Sequence, residues 1–308
     1  MKALEQLVVR ARTRVREERA RRGVGGRPAR LSVRLDDLDA PGPVAADTAK
    51  LDDWYDAIVR IVEWSGPLPA QLVARADHRF LADLVRFTHR LECPTTLRTT
   101  AAGINARRAD ELVDCGLERI LVRVAGVSEG VQQAVLGESV ADTRRAISAL
   151  IAARASRGQP LDIALEVPFD ERTAPELRAL HEEARAVGVD GVLVAAPWRG
   201  GPFSPAALAA LSWVAEQPEP FRRTPSDLAE TLGRLNGGEP GAPRLRGACP
   251  VGALRVELQA DGSLHSCPFK ADSVRIGDTM APAWKALDAH RAAIRGCSRT
   301  CVHPDLSA

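Results

Sequence analysis

Apolar and polar residues alternate in blocks along residues 30–200, and the blocks switch between a two-residue and a 3.6-residue period. Short stretches rich in Val, Leu and Ile predict strands, and longer stretches with apolar residues at helical spacing predict helices. The predicted strands cover 30–35, 69–76, 95–100, 118–126, 161–168 and 190–197. The predicted helices cover 51–64, 80–91, 106–116, 140–158 and 174–188. This alternation predicts an α/β fold with a parallel sheet, because short βα loops cannot join antiparallel neighbours.

Six βα units suit a doubly wound sheet or a partial (βα)6 TIM-like barrel, and in both the functional mouth lies at the carboxyl ends of the strands. Any single polar residue there could simply be solvated or cap the next helix. As a set, however, these residues predict a polar pocket. The candidate substrate-binding residues are Asp36, Asp37, Arg75, Asp77, His78, Arg98, Arg123 and Glu166.

Three of these candidates are arginines near the ends of successive strands. Arg75, Arg98 and Arg123 would repel one another if they converged, so we expect anionic groups close to them. Nearby carboxylates could supply it, or a carboxylate-bearing ligand or acidic peptide could do so.

The pattern changes after residue 200. Residues 204–217 and 224–235 predict helices within a linker that spans 201–247. The alternating residues 254, 256 and 258 then predict a half-buried strand, and Asp261-Gly262 is a favoured hairpin turn. A last helix runs into a final pair of cysteines. We therefore expect a small cysteine-rich module at 248–308.

Four cysteines in this module are candidate metal ligands: Cys249, Cys267, Cys297 and Cys301. Four thiolates match the number needed for one iron–sulfur cluster or for one tetrahedral zinc ion, and their spacing alone does not choose between the two. Cys93 and Cys115 fit small core residues instead.

The 308 residues carry a net charge of only +2. Neither a signal-type apolar block nor a run long enough to span a bilayer is visible, so we expect a cytoplasmic protein without a membrane partner. Residues 1–28 predict a basic N-terminal helix. Glu17 and Glu18 interrupt its charge and no aromatic residue is interleaved, which argues against nucleic-acid binding.

The cysteine pattern resembles the radical S-adenosylmethionine (SAM) superfamily, specifically members with a C-terminal SPASM or twitch module. Cys249, twelve residues, Gly262, four residues and Cys267 match the module's opening signature, and Cys297 and Cys301 match its later pair. Residues 110–150 have the cadence of the family's third helix, fourth strand and following helix. The resemblance implies a partial (βα)6 barrel at 29–200 and one auxiliary [4Fe–4S] cluster held by the four cysteines, with zinc as the alternative.

The sequence departs from that family at the radical site. The family holds a [4Fe–4S] cluster on a C-x-x-x-C-x-x-C motif after the first strand, where this chain has DDLDAPGPVAADTAK without a cysteine. The family's GGEP motif is also absent after the second strand, and the literal GGEP at Gly237–Pro240 lies before Cys249. The resemblance therefore implies a degenerate member that does not cleave SAM, and it leaves SAM binding itself in doubt.

Three functions remain open from the sequence. The first is an accessory, substrate-binding or electron-relay protein that matures a peptide or small natural product, alone or with a partner maturation enzyme. The second is a non-radical enzyme in which Asp36, Asp37 and Asp39 bind a cation or act as acid/base groups near His78 and Glu166. The third is a zinc-stapled binding module without redox activity.

Overall fold

The structure is a computed structural model of the 308-residue chain. It describes residues 15, 28–36, 38, 50–195, 203–218, 221, 255–259, 263–265, 274, 275 and 285. Several predicted features lie outside these residues: most of the N-terminal helix, the helix at 224–235, and the site residues Asp37, Asp39, Cys249, Cys267, Cys297 and Cys301.

The predicted alternation of strands and helices between residues 30 and 195 is present. The described strands are β1 (Arg30–Arg34), β2 (Ala70–Val73), β3 (Thr95–Thr99), β4 (Arg119–Arg123), β5 (Asp162–Pro168), β6 (Gly191–Ala195), β7 (Arg255–Gln259), β8 (Ser263–His265) and β9 (Val274–Arg275). The described helices are α1 (Leu51–Ser65), α2 (Leu81–Arg90), α3 (Ala106–Asp114), α4 (Glu129–Leu136), α5 (Val140–Arg157), α6 (Leu177–Val187) and α7 (Pro205–Ala215). The fold is therefore mixed α/β with mostly parallel strand pairing.

Helix α4 is the element between 30 and 195 that the pattern did not predict. It begins after Ser128 and ends at Gly137, which adopts a left-handed conformation that favours glycine. Gln132 is its buried residue, so α4 lacks the apolar stripe by which a helix is recognised in a sequence.

The chain divides into two compact units. The first comprises residues 1–98, 114–118 and 245–297, and the second comprises residues 99–113, 119–244 and 298–308. In the first unit, β3, β2, β1 and β7 pair in that order in parallel, and β8 and β9 add antiparallel strands beyond β7. In the second unit, β4, β5 and β6 pair in parallel.

One face of the sheet in the first unit is a continuous apolar core. Leu31, Val33, Leu72, Leu97 and Leu258 have no exposed surface. Helix α1 also buries its apolar side, including Trp54, Ile58 and Ile61. Because successive residues of a strand point to opposite faces, the intervening residues of the same strands form the other face.

The predicted hairpin forms, but its first strand has an additional partner. Glu257 pairs with His265 across the antiparallel β7–β8 ladder, as the Asp-Gly turn predicted. Strand β7 also pairs with β1 along its whole length, from Arg30 opposite Arg255 to Arg34 opposite Gln259. The prediction of a half-buried strand is wrong, because Glu257 is only 2% exposed.

Among the residues that the structure describes, no helix is both long and apolar enough to cross a bilayer.

Candidate functional site

The second face of the first unit's sheet is lined by polar side chains. We call it the polar sheet face, and we define it by Ser32, Arg34, Gln71, Thr96, Arg98, Glu257 and Gln259. Strand register places Ser32 between Gln71 and Glu257, and it places Arg34 between Val73 and Gln259. Parallel barrels with packed interiors carry branched apolar residues at such positions, so a polar row is typical of a binding surface.

Glu257 is the buried anion of this face. Arg34 Nε lies 3.2 Å from Glu257 Oε1, and Gln259 Nε2 donates a hydrogen bond to the same oxygen. A carboxylate that is buried away from water needs such partners, because an unpaired buried charge raises the free energy of the folded state. Glu257 is 2% exposed whereas the Arg34 side chain is 21% exposed, so the cation is the more accessible member of the pair.

A polar pair on β8 adjoins this face. Ser263 Oγ and His265 Nε2 are 3.0 Å apart, and His265 lies opposite Glu257 in the strand register. Ser263 is buried and His265 is half-buried.

Asp36, predicted as a binding residue, ties two strand ends together. Asp36 is 4% exposed, and its Oδ2 atom accepts a hydrogen bond of 2.7 Å from the Arg75 amide. The Arg75 side chain turns to Asp77, with Nε and Nη2 each 3.1 Å from a carboxylate oxygen. Both side chains are about half exposed, so solvent screens this ion pair.

His78 packs locally against Phe80. The two ring centroids are 5.8 Å apart in an edge-to-face arrangement, and His78 Nδ1 accepts a hydrogen bond of 3.3 Å from the Phe80 amide. The loop after β2 therefore uses Asp77 and His78 in contacts with its own neighbours.

The second unit brings together the last two described candidates. Arg123 and Glu166 are paired in the β4–β5 register, and Arg123 Nε lies 4.0 Å from Glu166 Oε1. Their side chains are 7% and 4% exposed. The charge of Arg123 is thus met by a buried carboxylate of its own unit.

The half-buried carboxylate of Glu176 and the buried side-chain amide of Gln132 also hold the loop after β4. Glu176 Oε2 accepts hydrogen bonds from the Val127 amide at 2.8 Å and the Ser128 amide at 2.9 Å. Gln132 accepts from the Ala125 amide at 2.8 Å and donates to Thr143 Oγ1 at 3.0 Å. Sequence reasoning missed the Glu176 contacts because 48 and 49 positions separate the partners.

The described residues do not fit the radical cluster that the resemblance to the radical SAM superfamily implies. Such a cluster needs three thiolates after β1, and the sequence there contains no cysteine. Asp36, in that loop, is already engaged by the Arg75 amide. The described part of the chain contains no group of three or more His, Cys, Asp or Glu residues that could hold a metal ion.

The Cys93 thiol belongs to the core, as predicted. It is 1% exposed, and burial raises its pKa to about 11, against a weaker opposing effect of the Leu68 backbone. A thiol that stays protonated at neutral pH is a poor metal ligand. Cys115 is buried as well.

No protein-family model matches this sequence, and no curated protein matches it. Solved structures do share its fold. SuiB from Streptococcus suis bound to S-adenosylmethionine is 14% identical, with a TM-score of 0.65 over 87% of this chain and 66% of SuiB. SuiB bound to its precursor peptide SuiA is 12% identical, with a TM-score of 0.64 over 87% of this chain and 67% of SuiB.

A second protein shows the same likeness. The structure of native anSMEcpe with bound AdoMet is 12% identical, with a TM-score of 0.53 over 83% of this chain and 80% of that one. At these identities the likeness establishes the fold alone. This chain has the fold of two proteins that have been solved with bound S-adenosylmethionine.

Proposed function

We propose that this chain is a radical-SAM-like protein that binds a peptide on a partial (βα)6 barrel and does not cleave SAM. In this proposal it carries one [4Fe–4S] cluster on a C-terminal SPASM- or twitch-like module. It acts as an accessory, substrate-binding or electron-relay component of peptide maturation. The observation that carries the proposal is a polar, partly accessible sheet face on a fold shared with peptide-bound SuiB.

Two comparisons support a peptide as the substrate class. SuiB has been solved with its precursor peptide SuiA, and anSMEcpe has been solved with the Cp18Cys peptide. In this chain Gln71, Thr96 and Arg98 are half-buried, so part of each residue is accessible from solvent. Side-chain amides, hydroxyls and guanidinium groups are the donors that a peptide backbone and its side chains require.

The chemistry of the donor set supports the cluster. Cys249 precedes β7 and Cys267 follows β8 in the sequence, and in this proposal a modest loop brings the two thiols together. When bound, the cluster would supply one-electron redox capacity. Zinc remains the alternative, since four thiolates also suit a tetrahedral ion.

The competing enzyme hypothesis loses part of its support. It requires the carboxylate of Asp36 for a cation or for proton transfer, yet Asp36 Oδ2 accepts the Arg75 amide proton and Asp36 is 4% exposed. This contact gives Asp36 a structural role.

Metal analysis of anaerobically produced protein tests the cluster. We expect brown protein with about four iron and four sulfide per chain. Cys267→Ala should abolish the metal, and the matched control Cys93→Ala should retain it because Cys93 is a core thiol. Colourless protein with one zinc would refute the redox role and leave a zinc-stapled module.

Hydrogen exchange tests peptide binding. A panel of equal-length peptides with acidic, basic, neutral and aromatic compositions is added to the full chain. At least one composition should protect amides of β1, β2 or β7. If no composition changes protection anywhere in the chain, peptide binding is wrong.

A further inference from the structure

We infer that the second unit binds the linear aliphatic chain of an uncharged ligand in a pocket between helices α5 and α6. The pocket has a volume of about 210 Å³, and its described lining lies wholly within the second unit. Residues of both helices, Leu165 of β5 and the loop after β4 form its walls. The polar sheet face belongs to the first unit, so this inference goes beyond the proposed function and does not depend on it.

The walls of this α5–α6 pocket are aliphatic. Val140 and Ile147 come from α5, and Leu180 and Val187 come from α6. The described residues around the pocket include no aromatic ring. Val187 is 39% exposed, so a ligand that covers it removes apolar surface from water. Such walls favour a hydrocarbon group, because its binding free energy grows with the apolar area buried.

Two polar groups in the walls already have partners in the protein. Thr143 is 3% exposed, and its hydroxyl donates to the Ser139 carbonyl at 3.0 Å and accepts from Gln132 Nε2 at 3.0 Å. The Val127 amide donates to Glu176 Oε2. A polar ligand group placed beside them would lose its water without gaining a donor from either, which raises the free energy of binding. The inner end of the ligand is therefore apolar.

An ion pair between the two helices forms part of the pocket wall and is open to solvent. Arg144 Nε donates to Glu183 Oε1 at 2.6 Å, and Arg144 Nη2 donates to Glu183 Oε2 at 2.8 Å. The two side chains are 55% and 31% exposed. Because each charge is met by the other in a bidentate contact, this pair does not favour a ligand of either charge.

The pocket follows both helices for about two turns. Its lining runs from Val140 to Ser148 on α5 and from Leu180 to Val187 on α6. At a rise of 1.5 Å per residue, each stretch is roughly 10–12 Å long. An apolar cavity of roughly 150 Å³ in another protein holds benzene, so this larger and longer space suits a chain of more than six carbons.

Small residues create this space. Gly126 and Ala184 both line the pocket. A Cβ at Gly126 would lie 2.8 Å from Glu176 Oε2, so a side chain cannot extend from this position without moving that carboxylate. Ala184 is 3% exposed, and a longer side chain there would extend into the pocket.

Nuclear magnetic resonance of the full chain, with isotope-labelled Ile, Leu and Val methyl groups, tests the inference. The probes are the linear alcohols from 1-butanol to 1-heptanol. Methyl resonances of Ile147, Leu165 and Leu180 should shift during titration, and those of Leu31 and Leu72 in the core of the first unit should not. Each added methylene should lower Kd about fourfold. Unchanged pocket resonances, or equal shifts in both units, would overturn the inference.

Further probes test the class of ligand. Heptanoate and heptylamine should bind no more tightly than 1-heptanol, and a preference of about tenfold for either would overturn the uncharged ligand. The linear 1-hexanol should bind about threefold more tightly than cyclohexanol or better. Equal affinity for these two would overturn the linear chain.

Variants assign binding to this pocket. Ala184→Leu fills part of the space and should weaken 1-heptanol about tenfold or more. Ala186→Leu, at an exposed position on the same helix outside the described lining, should change Kd by less than about twofold. If Ala184→Leu does not fold, Ser148→Leu, at an exposed position of the lining, is compared with Ser156→Leu, exposed on α5 outside it. Ser148→Leu should weaken 1-heptanol about threefold and Ser156→Leu should not. Equal effects within the pair measured would overturn the site.

Discussion

Glu176 holds Ser128 at two points: Oε2 accepts the Ser128 amide proton at 2.9 Å, and Oε1 accepts the Ser128 hydroxyl proton at 2.8 Å. Ser128 immediately precedes α4, so the carboxylate satisfies donors at the start of that helix. The contact joins the loop after β4 to the turn before α6, 48 positions later.

Glu176 predicts an acid-sensitive contribution to stability. Burial alone would raise its pKa, but the hydrogen bonds from Ser128 and Val127 outweigh burial and lower it. A carboxyl with a lowered folded pKa contributes stability above its unfolded pKa of about 4.3 and loses it as pH falls through the folded value. Glu176→Gln should cost about 2 kcal/mol at pH 7, and this cost should shrink as pH falls through the folded pKa, measured by urea unfolding.

The Glu176 carboxylate leaves no room for a side chain at Gly126. A Cβ at this position would lie 2.8 Å from Glu176 Oε2, closer than nonbonded atoms approach. Moving the carboxylate away would break its hydrogen bonds to Val127 and Ser128. Gly126→Ala should therefore destabilise the protein by about 1–2 kcal/mol, measured as the free energy of unfolding.

Gly130 provides the matched control for this substitution. It lies in α4 with no atom within 4 Å of an added Cβ, so Gly130→Ala should stabilise the chain by about 0.5–1 kcal/mol. If Gly126→Ala stabilises as well, steric coupling to Glu176 is wrong. In a Glu176→Ala background, the cost of Gly126→Ala should largely disappear.

We expect a second effect of pH on stability, caused by His181, at pH values closer to neutrality. It is 1% exposed, Nδ1 donates to the Leu177 carbonyl at 2.8 Å, and Nε2 has no hydrogen-bond partner among the described residues. Burial lowers its pKa, the Leu177 contact opposes this shift, and Arg185 adds to it. The folded state therefore binds a proton less readily than the unfolded state does.

For a histidine with a lowered folded pKa, stability is greatest above the unfolded pKa of about 6.5 and falls as pH drops toward the folded value. The slope from one such group is at most about 1.4 kcal/mol per pH unit. Thermal unfolding between pH 7.5 and 5.5 should show a steeper loss for the wild-type chain than for His181→Leu. Parallel profiles would contradict a neutral buried imidazole.

Because the sequence between β1 and α1 contains no cysteine, we expect that the protein does not cleave S-adenosylmethionine. Reduced protein supplied with S-adenosylmethionine should yield no 5′-deoxyadenosine above a protein-free blank, because no thiolate there can hold the required iron. Liquid chromatography with mass detection measures the product, and an active radical SAM enzyme under the same reductant is the positive control. Product formation that survives Cys267→Ala would mean that a cluster binds elsewhere in the chain.

The repeating strand–helix pattern could be predicted because each element carries its own periodicity. Predicting the partners of polar residues was harder. Glu257 alternates with Val256 and Leu258, a pattern typical of a strand with one solvent-exposed face. Nothing near Glu257 in the sequence indicates that β1 pairs with the second edge of β7. Local propensity contains no information about a pairing between strands that lie more than 200 positions apart.

The arginines show the same limit. The sequence placed Arg75, Arg98 and Arg123 at strand ends, but it did not show that Asp77 and Glu166 meet two of them. Arg34 escaped notice because it lies within a strand, and Glu257, which accompanies it, comes from the hairpin. The pairs Arg34–Glu257 and Arg123–Glu166 join different strands, so strand register decides them, whereas Arg75 and Asp77 pair within one loop.

The pairing of β1 with β7 has a consequence for biosynthesis. A ribosome releases Arg30–Arg34 long before it reaches Arg255–Gln259, so during translation one edge of β1 waits for its partner. Unpaired strand edges are templates for association with other chains. A nascent or truncated chain that stops before residue 255 would present that edge, and we expect it to depend on chaperones far more than the completed polypeptide does.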